Sequence, residues 1–411
     1  MSAIPEAINR ASVPRTHARV IRDDAEALAV SHEVASRIAT GASERDRERR
    51  LPYEEVDVYS QAGLWGITVP KAYGGAGVSF VTLTKVIANV SAADPSVGQL
   101  PQNHLGLVDV IALTGTDAQK QFLFGEVLAG KRFGNGFSER GTKNVLDLRT
   151  RVVRDGDEYV VDGTKFYSTG ALFADYVPIL GLDDERRAWL AYIPKGTAGL
   201  QVVDDWSGFG QRTTASGTVI ASGVRVPASL VLPAYEVSER PTLNGPVSQI
   251  IQAAIDAGIA CAAIDDTLAF VRERSRPWVD SGVERAADDP LVIREVGRLK
   301  IQLHAAEALL ERAARTLDEI AARGTPPDED DVARASVEVG EAKVLTTEIA
   351  LLAGEKLFEL AGTQSTLAEH NLDRHWRNAR THTLHDPVRW KYHLVGNYYL
   401  NGVKPARHAW N

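Results

Sequence analysis

Five of the ten histidines lie between residues 370 and 393. The densest stretch, residues 374–387, reads Arg-His-Trp-Arg-Asn-Ala-Arg-Thr-His-Thr-Leu-His-Asp-Pro. On a helix, His382 and His385 stand three apart and share a face. Such a pair can shuttle protons near neutral pH, bind a metal or cap a helix end. A metal would need further ligands, and no His-Glu-x-x-His signature is present, so no metal site is assigned. Pro387 disfavours helical backbone at Asp386 and marks an element boundary that can face a cleft.

Three other segments carry groups suited to a planar or anionic ligand. Residues 134–144 mix glycines with Asn135, Phe137, Ser138, Arg140, Thr142, Lys143 and Asn144, a supply of hydroxyl, amide and cationic donors. An ordinary polar loop would look the same. Residues 165–171 place Phe166 and Tyr167 beside Ser168 and Thr169, which could stack on a ring and hydrogen-bond its edge; a strand end with two core aromatics is the simpler reading. Residues 205–214 carry Trp206 over a glycine-rich turn. The run Gly74-Gly75-Ala76-Gly77 has neither the GxGxxG pattern nor a P-loop lysine, so it reads as a tight turn.

These segments need elements to hold them. Residues 24–38 repeat apolar side chains at helical spacing (Ala27, Val30, Val34, Ile38), with Asp23 or Asp24 as N-cap. The mixed-charge run 44–50 reads as a solvated helix face. The pattern stays helical to about Arg132. Short β-rich segments then alternate with turn signals: 149–153, 159–161, 177–180, 189–193, 200–203 and 217–226. They predict a small sandwich or barrel, with Asp155-Gly156-Asp157 and Asp162-Gly163 as turns. Strands and helices do not alternate, which argues against a parallel Rossmann sheet. From about Ser248 the chain is helical again. Leu299, Leu303, Ala306, Leu310, Ala313, Leu317 and Ile320 form one seam. Gly324-Thr325-Pro326-Pro327 ends that helix, and Asp330 or Asp331 caps the next, which pairs with it antiparallel. The expected organisation is an arm over 1–18, a helical domain over 19–132, a β-domain over 133–232 and a helical bundle over 233–411.

The 411 residues carry a net charge of −8, which gives no basic surface for nucleic acid. One Cys and one Met exclude an internal disulfide, a thiolate zinc site and an iron–sulfur cluster. No apolar core of a secretory signal stands in the first residues. The apolar stretch 250–264 is broken by Gln252, Asp256 and Gly258 and reads as too short and polar to span a bilayer. A soluble, cytoplasmic protein without nucleic-acid or membrane partners is expected.

Taken together, these segments resemble the acyl-CoA dehydrogenase superfamily over nearly the whole chain from Arg22. Residues 69–77 match its early loop. Phe137-Ser138-Glu139 falls where the family has Thr-Glu-Pro, and Gly163 to Thr169 where it has Gly-x-Lys-x-Trp-Ile-Thr. Residues 273–278 fall where an arginine reaches the flavin phosphate of a neighbouring subunit, and residues 377–380 match Arg-Asp-Ala-Arg. The resemblance implies a mainly α fold with a central β-domain: N-terminal helical domain, small β-sandwich or barrel, and C-terminal four-helix bundle. It assigns flavin contacts to Asn135, Phe137, Ser138, Asn144, Tyr167, Ser168, Thr169, Trp206, Arg274, Arg276, Gly362, Gln364 and Arg380. It also implies a homotetramer.

Where the dehydrogenases carry a base in Tyr-Glu-Gly-Thr, this chain has His385-Asp386-Pro387. The shorter carboxylate is displaced by about 1.5 Å, a shift that can cost about 100-fold in rate. The pattern Arg-Asn-Ala-Arg-Thr-His-Thr-Leu-His-Asp, with Ser168 and Asn103-His104, instead resembles the flavin-dependent monooxygenase branch. That branch includes the dibenzothiophene monooxygenases and the sulfur-acquisition oxidoreductases of sulfone metabolism; the runs 205–218 and 275–290 are similar to the latter. This resemblance implies an enzyme that takes reduced FMN from a separate NAD(P)H-dependent reductase, with FAD as the other flavin. It would react with O2 through a C4a-hydroperoxyflavin and oxidise small organosulfur compounds for sulfur acquisition. Its catalytic residues would be His104 on the substrate side, Ser168 near the flavin, and His382 with His385 managing protons. A chain nearly free of sulfur suits a protein made when sulfur is scarce. Two other readings stay open: an acyl-CoA dehydrogenase using Asp386 as base, and a non-catalytic assembly protein that kept the fold.

Overall fold

The computed structural model describes residues 18–411. Most of the segment read as an arm therefore lies outside the described residues. The chain opens with α1 (Asp24–Ala39), α2 (Ala42–Glu48), α3 (Tyr53–Gln61), α4 (Phe80–Ala93), α5 (Pro95–Gln99), α6 (Pro101–Thr114) and α7 (Asp117–Leu128). Asp23 is the cap of α1, its side chain accepting the Glu26 N–H. The apolar repeat of α1 is buried as its spacing requires. The run 44–50 departs from expectation. Arg45 and Asp46 are buried, Arg45 against Asp94 and Glu55 at 2.9 and 2.8 Å, and Asp46 against Arg377 at 2.7 Å. Mixed charge hid two residues that point inward, because their partners lie far along the chain. Gly74 has φ +88°, and a Cβ on Gly75 would meet the Val69 carbonyl at 2.1 Å, so the glycine run is a tight turn.

Seven strands follow: β1 (Arg151–Asp155), β2 (Glu158–Lys165), β3 (Tyr176–Leu182), β4 (Ala188–Pro194), β5 (Leu200–Val202), β6 (Val219–Pro227) and β7 (Val231–Leu232). They form one curled sheet in the order β5-β6-β2-β1-β3-β4-β7. Val152, Val161, Ile179, Ile193, Val219 and Val226 line a shared inner core. Asp162-Gly163 is not a turn. It lies within β2 as a bulge, where the register against β6 shifts. The missing Cβ of Gly163 makes room for Thr150, whose Oγ1 would stand 2.3 Å from it.

After the short α8 (Glu236–Glu239), the chain ends in α9 (Asn244–Glu273), α10 (Pro290–Ala322), α11 (Glu329–Ala361), α12 (Asp373–His382) and α13 (Arg389–Asn401). The whole expected seam of α10 is buried. Ion pairs Arg323–Asp331, Arg334–Glu319 and Arg312–Glu341 step in opposite directions along α10 and α11, which are therefore antiparallel. The cap of α11 is Asp328 rather than Asp330 or Asp331, with Asp331 closing the capping box at the third helical position. The fully buried α9 residues Ile250, Ile251, Ile255 and Ile259 join α4, α10 and α11 in one core that unites both helical regions. Each such buried side chain contributes about 1.5–3 kcal/mol. By length and composition α9 could cross a membrane, which corrects the reading of 250–264. Its apolar window is instead 83% buried inside the fold. Cys261 lies half-buried on α9 with Sγ 3.7 Å from Asp265 Oδ2.

Candidate active site

The last residue of α12 meets the middle of α9. His382 is fully buried, and its Nδ1 lies 2.6 Å from Asp256 Oδ1. Asp256 also takes the Thr347 hydroxyl at 3.0 Å and the Lys343 ammonium at 3.2 Å. Lys343 donates in addition to Gln252 Oε1 at 3.2 Å. Burial works against charge on Asp256, but Lys343, His382 and Thr347 outweigh it and hold its carboxyl at about 2. A carboxylate can only accept, so a proton sits on His382 Nδ1. Nε2 is left buried and without a partner.

His385 differs. Its ring centroid is 4.8 Å from that of His382. Nδ1 donates to the His382 carbonyl at 2.6 Å, and Nε2 accepts from the Gln99 amide at 3.1 Å. Both nitrogens are committed. The surrounding protein first, and then His382, lower its proton affinity to about 4, although one face of the ring borders an open cavity.

A second set of groups comes from the sheet and its loops. Tyr167 has φ +60°, and Asn135 Nδ2 holds its carbonyl at 3.1 Å. The Ser168 N–H donates to Gly217 O, while its buried hydroxyl has no partner. Thr169 hydrogen-bonds Ser216 at 2.7 Å, Ser216 meets Thr214 at 2.7 Å, and Thr214 donates to Gln211 O at 2.9 Å. The loop that includes residues 205–217 is pinned to α12. Gln211 N–H donates to Asn378 Oδ1 at 2.7 Å, and a Cβ on Gly210 would fall 1.9 Å from Arg377 O. Only glycine fits there. At this seam Gln211 Oε1 and Nε2, Arg380 Nε and Thr381 Oγ1 are also buried without partners. Buried polar atoms are ordinarily paired, so a concentration of unpaired ones asks for a ligand or water.

Trp206 donates to Gln211 O at 2.9 Å and joins Phe166 and Tyr167 in an aromatic cluster. Phe137 packs against the core, and the Ser138 carbonyl takes the Phe166 N–H. Glu139 and Lys165, the charged members of the two matched motifs, bind each other at 2.8 Å. They brace the strands rather than present charge to a ligand. Asn144 lies exposed in a turn, where it holds Leu146 N–H, and has no contact with this group.

His104 also stands apart. Its ring is buried between Trp65 and Phe133. Nδ1 accepts the Phe133 N–H and Nε2 donates to Trp65 O, each at 3.0 Å. Burial depresses its basicity to about 3. No ring nitrogen remains for the substrate-side role expected of it. Arg274 and Arg276 are exposed beyond the end of α9, about 27 Å along that helix from Asp256. Ser275 Oγ ties this segment to Ala361 O at 2.9 Å, so Arg274 and Arg276 neighbour the exposed Gly362 and Gln364. These four residues form a second patch, away from His382. Asp386 is buried and faces Lys391 Nζ at 3.4 Å, and Lys391 also holds the carbonyl of Trp410.

A cavity of about 560 Å³ opens beside His385 and Asp386, walled by Leu146, Trp390, Leu394, Val403 and Trp410. Asp256, Lys343, Gln99 and Thr381 complete the site but were not singled out from sequence as its parts. For Asp256 a signal existed: a carboxylate in the middle of an apolar run must be paired if the run is buried.

The ionised carboxylates also set acid stability. Burial opposes charge on Asp256, Asp266 and Glu139. Lys343 for the first, His375 and Arg374 for the second, and Lys165 with Thr150 for the third hold each at about 2. In the unfolded chain such groups titrate near about 4. Their contribution is complete above about pH 4 and drains away as pH falls toward 2. Thermal melts followed by circular dichroism should show Tm dropping steeply in that window. A Tm level down to pH 2.5 would refute the pairing.

Residues 22–131 match the family description "Acyl-CoA dehydrogenase, N-terminal domain" and residues 250–390 "Acyl-CoA dehydrogenase, C-terminal domain". The chain is 34% identical to a dibenzothiophene monooxygenase of Rhodococcus erythropolis, covering 93% of this chain and 95% of that one. It is 32% identical to the Pseudomonas putida protein named "Probable FMNH2-dependent monooxygenase SfnC", covering 92% and 96%. The FMN-bound structure of TdsC from Paenibacillus sp. A11-2 superposes with a TM-score of 0.89 at 32% identity, covering 94% of this chain and 100% of that one. The chain belongs to the acyl-CoA dehydrogenase superfamily, in the branch that holds the dibenzothiophene monooxygenases.

Proposed function

We propose that the protein is a monooxygenase that uses reduced FMN and O2 to oxidise the sulfur of a small organosulfur compound. A separate NAD(P)H-dependent reductase would deliver the flavin. The observation that carries this reading is the set of buried, unpartnered polar atoms where the sheet loops meet α12: Ser168 Oγ, the Gln211 amide, Thr381 Oγ1, Arg380 Nε and His382 Nε2. Both donors and acceptors are among them, which suits a heterocycle edged with carbonyls and ring nitrogens. Bound there, the reduced flavin supplies the electrons that activate O2.

The residues of this chain do the rest. Asn135 fixes the Tyr167 turn, which sets Ser168 and Thr169 in place. Ser168 holds the polar edge of the ring system. His382 Nε2 accepts or returns the proton that oxygen transfer requires. His385, held neutral, borders the open, largely apolar cavity, which would admit the organosulfur compound. The Arg274, Arg276, Gly362 and Gln364 patch cannot reach the His382 group of its own chain. It serves a neighbouring copy in a homotetramer. Dehydrogenation of an acyl-CoA would use Asp386 as base; that carboxylate stands 3.4 Å from the Lys391 ammonium, with neither oxygen hydrogen-bonded.

The test is turnover under 18O2 with reduced FMN and a panel of sulfones, sulfinates and thiophenes. Mass spectrometry should find one 18O atom in an oxidised sulfur product. No label in any sulfur compound, or anaerobic flavin bleaching by acyl-CoA thioesters, would overturn the reading.

A further inference from the structure

We infer that Asp256 is the positioning residue of the site: clamped by Lys343 and Thr347, it fixes the tautomer of His382 and keeps Nε2 open toward the ligand. The inference rests on the monooxygenase reading for what Nε2 does, but the tautomer itself is a property of the protein alone.

The argument starts from cost. A carboxylate at the centre of an apolar helix is expensive unless it is paired and hydrogen-bonded. Asp256 is fully buried among Ile255, Ile259 and Ala253, and three separate partners answer its charge. Two of them, Lys343 and Thr347, lie one turn apart on α11 and face α9 together. They leave Oδ1 for a single task, which is His382 Nδ1 at 2.6 Å. With the proton on Nδ1, Nε2 carries the lone pair. No protein atom uses it.

His385 supplies the contrast. Its two nitrogens are satisfied by the His382 carbonyl and Gln99, so it has neither a lone pair nor a proton to give while those bonds hold. Of the two histidines, only His382 is built to exchange a proton. The groups facing it are Asp256 from α9, Lys343 from α11 and His385 from its own turn, with Asp386 and Lys391 beyond. Asp256 Oδ1 fixes the orientation of the ring, while Lys343 and Thr347 occupy Oδ2.

Asp256→Asn is the sharpest probe. An asparagine can turn its NH2 to Nδ1, which moves the proton to Nε2 and closes the open position. Because that change leaves Lys343 without its anion, the paired variant Asp256→Asn/Lys343→Met removes both charges and guards against simple misfolding. In 15N-histidine spectra of the purified, flavin-free protein, the His382 signal is identified by its loss in His382→Gln. It should show Nδ1–H in the wild type and Nε2–H in both Asp256 variants. Anaerobic binding of reduced FMN should change less than about threefold, while oxidised product per unit time falls about 100-fold. Asp256→Glu should restore a measurable part of that rate. An Nε2–H wild type, or Asp256→Asn with wild-type tautomer and rate, overturns the role of Asp256. A wild type with the Nδ1–H signal but no oxygen transfer to sulfur upholds the positioning and sinks only the function proposed above.

Discussion

Replacing His382 by glutamine should lower formation of oxidised sulfur product by about 1,000-fold, within the range for a positioned acid–base group. Glutamine keeps most of the volume and a polar tip but has no titratable nitrogen. Reduced FMN should still bind, since Ser168, Gln211, Arg380 and Thr381 remain. O2 uptake should continue with its yield diverted from product to hydrogen peroxide. The ratio of product to O2 consumed is therefore the informative measurement, from an oxygen electrode and a peroxide assay run together. His385→Ala should fall less steeply, because its ring nitrogens are bound to Gln99 and a backbone carbonyl. If His385→Ala lost more coupling than His382→Gln, the roles drawn from their hydrogen bonds would be reversed.

Removing the cation beside Asp256 should be the most destabilising single change near the site. Lys343→Met preserves the aliphatic stem and deletes the ammonium. Asp256 then keeps only His382 and Thr347 as partners in the core. Breaking a buried ion pair on one side costs about 3–5 kcal/mol. Urea unfolding should register that loss as a lower midpoint. The double variant Lys343→Met/Asp256→Asn should recover most of it, because no buried charge is stranded. Activity should not recover with stability, since the orienting carboxylate is gone. If the single and double variants unfolded at the same midpoint, the two charges would not be coupled.

Much of this architecture could be read from local sequence. The α10 seam from Leu299 to Ile320 is a repeat within one helix, and all its members are buried. The strand segments stand out because turn residues separate them, whereas Asp162-Gly163, which reads as a turn, is a bulge within β2. Its role depends on Thr150, brought alongside by strand pairing. The site was harder to see. The motif resemblance names His382 and Arg380, which lie on α12, and Ser168 and Asn135, which meet at the Tyr167 turn. His104, from the same source, proved a satisfied core histidine. What the sequence hides is partnership at long range. His382 and Asp256 are 126 residues apart, Gln99 and His385 286 apart, and Asp46 and Arg377 331 apart. No periodicity connects such pairs. Asp256 looked like an interruption in an apolar run, and only the packing of α9 against α11 and α12 turns it into an anchor.

The lone thiol makes the protein convenient for spectroscopy. Cys261 sits five residues from Asp256, about 7.5 Å farther along α9. Burial and Asp265 push its thiol up to about 11, so at neutral pH almost none of it is thiolate. Alkylating reagents should leave it nearly untouched at pH 7 and modify it near pH 9–10. With no other cysteine in the chain, a fluorine or spin label introduced at the higher pH would occupy one defined position. Such a reporter could follow movement of α9 against α10, whose Lys300 stands 3.5 Å from Asp265, without any mutation to clear competing thiols.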